Sequence, residues 1–192
     1  MKKILFPVIL VTVGAAVLTG CIAAYGSSGQ FVKQSDFPKS KESYKIVYFA
    51  PEIAPDVDEI KPPSYQAFFD SVTNKLSPFD QIKIDRLQTV MEYDTVDTQT
   101  IQEICKNNTA NLVVVPKIQY FKVGLGKYVF SNQVVVSMKL YNAEGELIKE
   151  ASYDTFKRNK RLLRSTENSI KIGTNGVMND LLKTIKKTQL SS

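Results

Sequence analysis

The chain has 192 residues, of which 43% are hydrophobic and 23% are charged, and its formal net charge is +6. It contains no histidine and only two cysteines. The lack of histidine excludes Ser-His-Asp and Cys-His catalytic sites and removes the commonest general base and metal ligand. We therefore expect no metal, no cofactor and no catalytic centre. The positive charge is mild and does not call for nucleic acid as a partner.

The amino terminus has the layout of an export signal. Lys2 and Lys3 precede an uncharged, mostly apolar run over residues 4–17, which is shorter than the roughly 20 residues that span a bilayer. A positive start, a short apolar stretch and small residues at its exit are typical of a secretory signal. The exit reads Leu18-Thr19-Gly20-Cys21 and resembles the bacterial lipobox. The alternatives are an ordinary secretory signal or an N-terminal anchor helix that carries a chance cysteine.

The lipobox resemblance implies that the signal peptide, residues 1–20, is removed and that Cys21 is acylated. This lipid would attach the protein to a membrane of the cell envelope. Ile22 follows the cysteine instead of aspartate, which by the sorting rule of that family in Gram-negative bacteria favours the outer membrane, with the domain facing the periplasm. In a cell with a single membrane, the same anchor would display the domain outside. Cys105 would then lack a cysteine partner, so we expect no internal disulfide and a buried apolar role for it.

After cleavage, 23 of the 25 basic side chains and all 19 acidic ones remain, which leaves a formal charge of +4. Residues 21–42 include Gly26-Ser27-Ser28-Gly29 and other polar stretches, and this composition predicts a flexible tether. Residues 43–192 are of ordinary length for a single globular domain.

From Tyr44 onward the apolar pattern predicts an α+β domain, a mixed sheet with helices packed on it, in the order β-α-β-α-β-β-β-α. Runs and alternation of β-formers predict strands at 45–50, 82–87, 112–118, 133–141 and 147–156. Apolar spacings of three and four predict helices at 65–76, 98–107 and 165–187. Ser64 and Thr98 are the predicted N-caps of the first two helices.

Two details concern glycines. The segment 142–146 contains Gly145 and has the length of a hairpin turn between the last two strands. Gly173 and Gly176 lie in the last helix and are expected to loosen its middle.

Acidic residues form one group and several scattered candidates. The group, Glu52, Asp56, Asp58 and Glu59, lies in a proline-rich segment after the first strand. The group could bind calcium or a basic partner. Its spacing differs from that of a calcium loop, however, so a solvated loop is the expected interpretation. The scattered carboxylates are Asp70, Asp80, Asp85, Glu92, Asp94 and Asp97. Glycoside hydrolysis would require two carboxylates to meet in space.

A basic run follows the last strand and is the candidate interaction surface. Its members are Lys157, Arg158, Lys160, Arg161 and Arg164. They could contact phospholipid headgroups, lipopolysaccharide phosphates or an acidic partner, or they could form a solvated connection between two elements. Tyr153 and Phe156 lie beside the run, and aromatic residues favour interfaces. Gly124-Leu125-Gly126-Lys127 lacks the spacing and the ending of a phosphate-binding loop.

The order of helix, Ala110-Asn111, apolar strand over 112–116, and then a strand ending in the 140–148 hairpin resembles a group of envelope lipoproteins. The group comprises the curli secretion-channel lipoprotein, lipoproteins that activate penicillin-binding proteins, and the amino-terminal domain of the Tol-system propeller protein. Its members usually have Ala-Gly where this chain has Ala110-Asn111. The resemblance implies a scaffolding or activating role and carries over no catalytic residue.

Three hypotheses follow. A non-catalytic accessory or assembly lipoprotein would bind the membrane through Cys21 and other envelope proteins through an exposed patch, with self-association left open. A binder of a small or lipidic ligand would have an apolar cavity between helix and sheet. A wall-polymer hydrolase would bring two carboxylates together in a cleft, at least one of them with a shifted pKa.

Overall fold

The computed structural model describes residues 28–31, 43–122, 130–158 and 165–190. In these residues one mixed sheet has the strand order β1-β7-β6-β5-β2-β4, and β3 pairs with β5. The strands are β1 Ser28–Phe31, β2 Tyr44–Ala50, β3 Glu52–Ala54, β4 Ile82–Val90, β5 Leu112–Lys122, β6 Phe130–Asn142 and β7 Leu147–Asp154. The helices are α1 Lys61–Leu76, α2 Thr98–Asn108, α3 Thr155–Arg158 and α4 Thr166–Leu190. The predicted α+β class, with helices packed on a mixed sheet, is confirmed.

Strand directions place several strand ends together. Strand β2 runs parallel to both β4 and β5, whereas β5, β6 and β7 are successively antiparallel. Strands β2, β4, β5 and β7 therefore all finish at the same end of the sheet, which we call the upper end. The upper end is also where β1 begins, because Ser28 lies opposite Ser152 in an antiparallel pair.

One face of the sheet is covered by α1 and α4. Phe68 and Val72 of α1 and Val177 and Leu181 of α4 belong to a single apolar cluster with the inward side chains of the sheet. Gly176 allows α4 to approach β7 closely, since a Cβ there would lie 2.0 Å from Cδ2 of Tyr153. Gly173 has the same role against Val136, at 2.6 Å from its Cγ2. Both glycines therefore allow α4 to pack closely on the sheet. The expected loosening of the helix is not seen, because α4 is continuous from Thr166 to Leu190.

The opposite face is covered by α2, which contributes Ile101 and Cys105 to a smaller cluster with Val47 and Val113. Cys105 is a buried free cysteine, as expected, and burial raises its pKa to about 11. The turn between β6 and β7 is also confirmed. Gly145 adopts φ +77° there, a backbone conformation that glycine accommodates without strain.

Helix and strand limits correct several details of the prediction. Helix α1 begins at Lys61 and not after Ser64, because Pro62 and Pro63 fit the first helical turn, where backbone N–H groups have no helical partner. Helix α2 is capped by Asp97, whose carboxylate accepts from the N–H groups of Gln99 and Thr100, and not by Thr98. Strand β7 ends at Asp154, and the residues that follow form the short helix α3.

The predicted tether includes β1, for which no strand was expected. The rest of the tether, the signal peptide (residues 1–20) and Cys21 lie outside the described residues. Among the helices that the structure describes, none is long and apolar enough to cross a membrane.

Candidate functional site

An open cleft of about 490 Å³ lies at the upper end of the sheet, on the side of the edge strand β4. Its walls come from β3, from the first turns of α1 and from the segment that joins β4 to α2. The lining residues are Glu52, Ile53, Ala54, Asp56, Lys61, Tyr65, Val90, Glu92, Asp94 and Thr95. Parallel strands present their carboxyl ends at one edge of a sheet, and ligands of such sheets commonly bind there. We refer to this feature as the acidic cleft.

Lys117 of β5 pairs with two carboxylates of the cleft wall. Its Nζ lies 3.0 Å from Oε1 of Glu52 and 2.7 Å from Oδ2 of Asp94. The hydrogen bond from Lys117 lowers the pKa of Asp94, and the same contact raises the pKa of Lys117. Glu52 also accepts a 2.7 Å hydrogen bond from the backbone N–H of Tyr93 through its second oxygen. Two negative charges thus converge on one ammonium group.

Lys61 closes the other side of the cleft. Its Nζ lies 2.5 Å from Oδ1 of Asp56 and 2.9 Å from Oδ1 of Asp58. The hydrogen bonds that Lys61 donates to these two aspartates raise its pKa. The acidic segment that the sequence suggested as a solvated loop therefore contributes Glu52 and Asp56 to the cleft wall, whereas Asp58 and Glu59 belong to a 3₁₀ turn before α1.

Tyr93 connects the cleft to the sheet, and the sequence analysis did not identify it. Its ring lies 4.5 Å from Nζ of Lys139 and 5.7 Å from Nζ of Lys117. Its hydroxyl donates to Glu150 at 2.9 Å, and its backbone carbonyl accepts from Nζ of Lys139 at 2.7 Å. Burial, followed by the contact with Glu150, raises the pKa of Tyr93. A lone tyrosine in a connecting segment has no periodicity that could have marked it.

The remaining predicted carboxylates have other roles. Asp97 caps α2, and the hydrogen bonds from Thr100 lower its pKa. Oδ2 of Asp85 on β4 lies 2.6 Å from Nζ of Lys45 on β2. Asp70 and Asp80 are exposed at sites outside the cleft lining. In the part of the chain that the structure describes, no group of three or more cysteine or acidic side chains is placed to hold a metal ion.

The basic run is described only in part. Lys157 is exposed and lies 3.7 Å from Oδ2 of Asp154, and Arg158 is the last residue of α3. Lys160, Arg161 and Arg164 lie outside the described residues, as does the segment Gly124 to Lys127. Phe156 is 64% exposed, and its ring centroid lies 6.3 Å from that of Phe121. This pair and Lys157 lie at the upper end of the sheet, on the side of β7.

The chain was compared with known proteins. No protein-family model and no curated protein matches it, so the resemblance to the envelope lipoproteins named above stays a prediction. Among solved structures it is similar to a PelC dodecamer from Paraburkholderia phytofirmans, with a TM-score of 0.49 and 10% identity over 81% of this chain and 97% of that chain.

Two further solved structures are similar to the chain. One is a neuraminyllactose-binding hemagglutinin homolog from Helicobacter pylori, with a TM-score of 0.42 and 12% identity over 84% of this chain and 92% of that chain. The other is lipoprotein GNA1162 from Neisseria meningitidis, with a TM-score of 0.38 and 12% identity over 78% of this chain and 99% of that chain. Since all these TM-scores are below 0.5, no function of this chain follows from the likeness.

Proposed function

We propose that this protein is a non-catalytic accessory component of the bacterial cell envelope, anchored by lipid on Cys21, that docks another envelope component in the acidic cleft. The lipobox at Leu18-Thr19-Gly20-Cys21 supports the anchor and the compartment. The observation that carries the docking role is the ion pairing of the cleft carboxylates, because Glu52 and Asp94 are both paired with Lys117.

The chemistry of the cleft favours binding over hydrolysis. A glycosidase of the common two-carboxylate type needs one carboxyl group that stays protonated near neutral pH, and therefore a raised pKa. The pKa of Asp94 is lowered instead, by the hydrogen bond from Lys117. Asp94 therefore remains a carboxylate at neutral pH and has no proton to give to a leaving group.

The apolar space that a lipidic ligand would need is filled in the described residues between α1, α4 and the sheet. Tyr48, Phe68 and Met178 are each no more than 1% exposed in that layer. The hydroxyl of Tyr48 lies 3.6 Å from Sδ of Met178, which shows how closely strand and helix pack. The open acidic cleft is thus the better supported binding site.

Charge indicates the kind of partner. Four carboxylates, Glu52, Asp56, Glu92 and Asp94, line the cleft together with Lys61. Lys117 pairs with two of them, so the cleft carboxylates outnumber these two lysines by two. Val90, which is 41% exposed, adds an apolar contact at the rim. A short segment with a basic side chain next to an apolar one fits this combination, since electrostatic complementarity gives specificity at interfaces.

The test is site-specific crosslinking in intact envelopes, with a photoreactive residue at Thr95 on the cleft wall. We expect a reproducible envelope protein to be captured, and we expect Glu92→Lys to reduce its capture severalfold. Glu103→Lys is the matched control, because Glu103 is also exposed but lies on α2, outside the cleft. The mass of the mature N-terminal peptide is measured on the same sample and should show an acylated Cys21.

Three outcomes would contradict the proposal. An N-terminal peptide that is unmodified at Cys21 would refute the lipid anchor. Equal loss of capture with Glu92→Lys and Glu103→Lys would refute docking in the cleft. Release of wall-polymer fragments that is abolished by Glu52→Gln would refute the non-catalytic role.

A further inference from the structure

We propose that the β7 side of the upper end is a second membrane contact, in which Phe121, Phe156 and Lys157 rest on the anionic surface of the bilayer that holds the lipid anchor. We call these three residues the aromatic-basic edge. The inference extends the proposed function, on whose lipid anchor at Cys21 one of its arguments rests.

The first argument is the exposure of Phe156. Among the described residues the large hydrophobic side chains that are exposed are Val90, at 41%, and Phe156, at 64%. The local backbone holds Phe156 in place, because Oδ1 of Asp154 accepts from the N–H groups of Phe156 and Lys157 at 2.9 and 3.1 Å. A phenylalanine ring that a capped turn presents to solvent suits the membrane interface, because Trp, Phe and Leu are the apolar side chains with which peripheral segments enter it.

The second argument is the composition of the two sequence segments that contain the three residues of the edge. Residues 155–165 contain five basic side chains and no acidic one, and residues 119–133 contain two lysines and no acidic side chain. Asp154, which precedes these residues in the chain, accepts from the N–H of Phe156 and pairs with Lys157 at 3.7 Å. Clusters of basic residues are attracted to the negative potential of anionic lipids. The positive charge of these segments therefore indicates that the edge binds an anionic membrane surface.

The third argument is the position of the anchor. Ser28 pairs with Ser152, only four residues before Phe156. Cys21 and Ser28 are seven positions apart, and a chain of that length spans at most about 25 Å. The reach of the lipid on Cys21 is therefore centred on the β1–β7 side of the upper end, where the aromatic-basic edge lies. A lipid chain combined with a basic patch is the usual pair of signals for stable membrane attachment.

These arguments define an orientation. The acidic cleft lies at the opposite side of the upper end, next to the edge strand β4, and an anionic surface repels it. The domain would thus contact the membrane with its β7 side and hold the cleft away from the lipid, accessible to a partner.

The experiment uses the absence of tryptophan from the chain. The full-length protein is prepared as Phe156→Trp and as Val90→Trp, so that each variant has a single fluorescent probe at an exposed apolar site. Both are reconstituted into vesicles of phosphatidylcholine with phosphatidylglycerol, with brominated phosphatidylcholine as the quencher. We expect a blue-shifted emission and severalfold stronger quenching for Phe156→Trp than for Val90→Trp. Equal quenching of the two probes, or no quenching of either, would overturn the proposal.

The charge argument has its own matched pair. Lys157 and Lys183 have side chains that are 81% and 79% exposed, and each pairs with an aspartate three residues earlier. In the Phe156→Trp background, Lys157→Glu should reduce the quenching severalfold, whereas Lys183→Glu should leave it unchanged. An identical effect of both substitutions would show that only the net charge matters and would refute a specific edge.

Flotation with neutral phosphatidylcholine vesicles reports the lipid anchor separately. A protein that fails to float with neutral vesicles, but whose Phe156→Trp probe is quenched on anionic vesicles, would retain the edge and refute the anchor. A protein that floats with both, with an unquenched Phe156→Trp probe, would retain the anchor and refute the edge.

Discussion

The two faces of the sheet are covered in different ways. Helices α1 and α4 cover one face with a continuous apolar layer, and α4 approaches the strands closely at Gly173 and Gly176. Among the described residues, the other face is covered by α2 and, at the upper end, by the connection from β4 to α2. That connection is held by Tyr93 and its polar contacts with Glu52, Lys139 and Glu150.

The difference separates stability from function. Apolar burial is the dominant favourable contribution to folding, so the α1–α4 face should account for most of the free energy of unfolding. Polar contacts contribute less to net stability but fix the geometry of a surface. Because the cleft lies beside the polar connection, changes there should alter binding before they alter folding.

The largest expected effect comes from the apolar face. Phe68 is fully buried between α1 and the sheet, and Phe68→Ala should lower the free energy of unfolding by about 3–5 kcal/mol through lost burial and a residual cavity. Urea titration followed by circular dichroism measures it. Phe156→Ala is the matched control, because the same side chain is 64% exposed there and its loss should cost less than about 0.5 kcal/mol. Equal losses would contradict the assignment of the core.

The next prediction concerns the close approach of α4 to β7 at Gly176. The sign of the change in the free energy of unfolding distinguishes this packing from an ordinary helix position. Replacing glycine by alanine inside a helix usually stabilises the helix by up to about 1 kcal/mol. Gly176→Ala should instead destabilise the protein by about 1–3 kcal/mol, because the new Cβ would lie 2.0 Å from Cδ2 of Tyr153. Asn179→Ala, at an exposed position of α4, is the control and should be neutral or stabilising. A stabilising Gly176→Ala would refute the proposed packing.

The contrast between the faces also explains what could be predicted from the sequence. Buried strands and helices carry apolar periodicity, so β2, β5, α2 and α4 were located to within a few residues, and the α+β class with them. Turn chemistry identified the hairpin at Gly145. Helix boundaries that depend on local chemistry were not predicted. Helix α1 begins at Lys61 with two prolines in its first turn, and the carboxylate of Asp97 caps α2.

The cleft itself could not be predicted, because its members come from distant parts of the chain. Glu52, Asp94 and Lys117 meet only after β3 pairs with β5. Nothing in their sequence spacing indicates that one lysine serves both carboxylates. Tyr93 is a further case, since its ring contacts two lysines that come from the neighbouring strands β5 and β6. By contrast, the basic run is visible in the composition, whereas the exposure of Phe156 becomes apparent only in the folded structure.

A smaller effect compares one hydroxyl on each face. Tyr93→Phe keeps the ring between the lysines but removes the 2.9 Å hydrogen bond to Glu150, which should cost about 1.5 kcal/mol because the acceptor is charged. Tyr120→Phe removes a 2.5 Å hydrogen bond with Ser64 under α1 and should cost about 1 kcal/mol, since both groups are neutral. Urea titration of both variants measures the difference. A larger loss for Tyr120→Phe would contradict the ranking.

The same tyrosine predicts a pH dependence. The folded pKa of Tyr93 is raised by burial and by Glu150, so its contribution to stability is fully present below the ordinary tyrosine pKa of about 10. It is lost as the pH rises above that value, because the unfolded chain ionises first. Burial raises the pKa of Tyr141 as well, to about 12. Stability measured between pH 9 and 11 should fall less steeply in Tyr93→Phe than in the parent, and equal slopes would contradict this assignment.

The smallest effect distinguishes the two carboxylates that share Lys117. Asp94 has a side chain that is 76% exposed, so Asp94→Asn should change the free energy of unfolding by less than about 0.5 kcal/mol. Glu52 is 26% exposed and also accepts from the N–H of Tyr93, so Glu52→Gln should cost about 1 kcal/mol. Since the pKa of Asp94 is lowered by Lys117, its small contribution is present above the unfolded pKa of about 3.9 and is lost as the pH falls below it. An NMR titration in which Lys117→Met fails to raise the pKa of Asp94 would show that the ion pair does not form in solution. The docking argument that rests on this ion pair would then have to be abandoned.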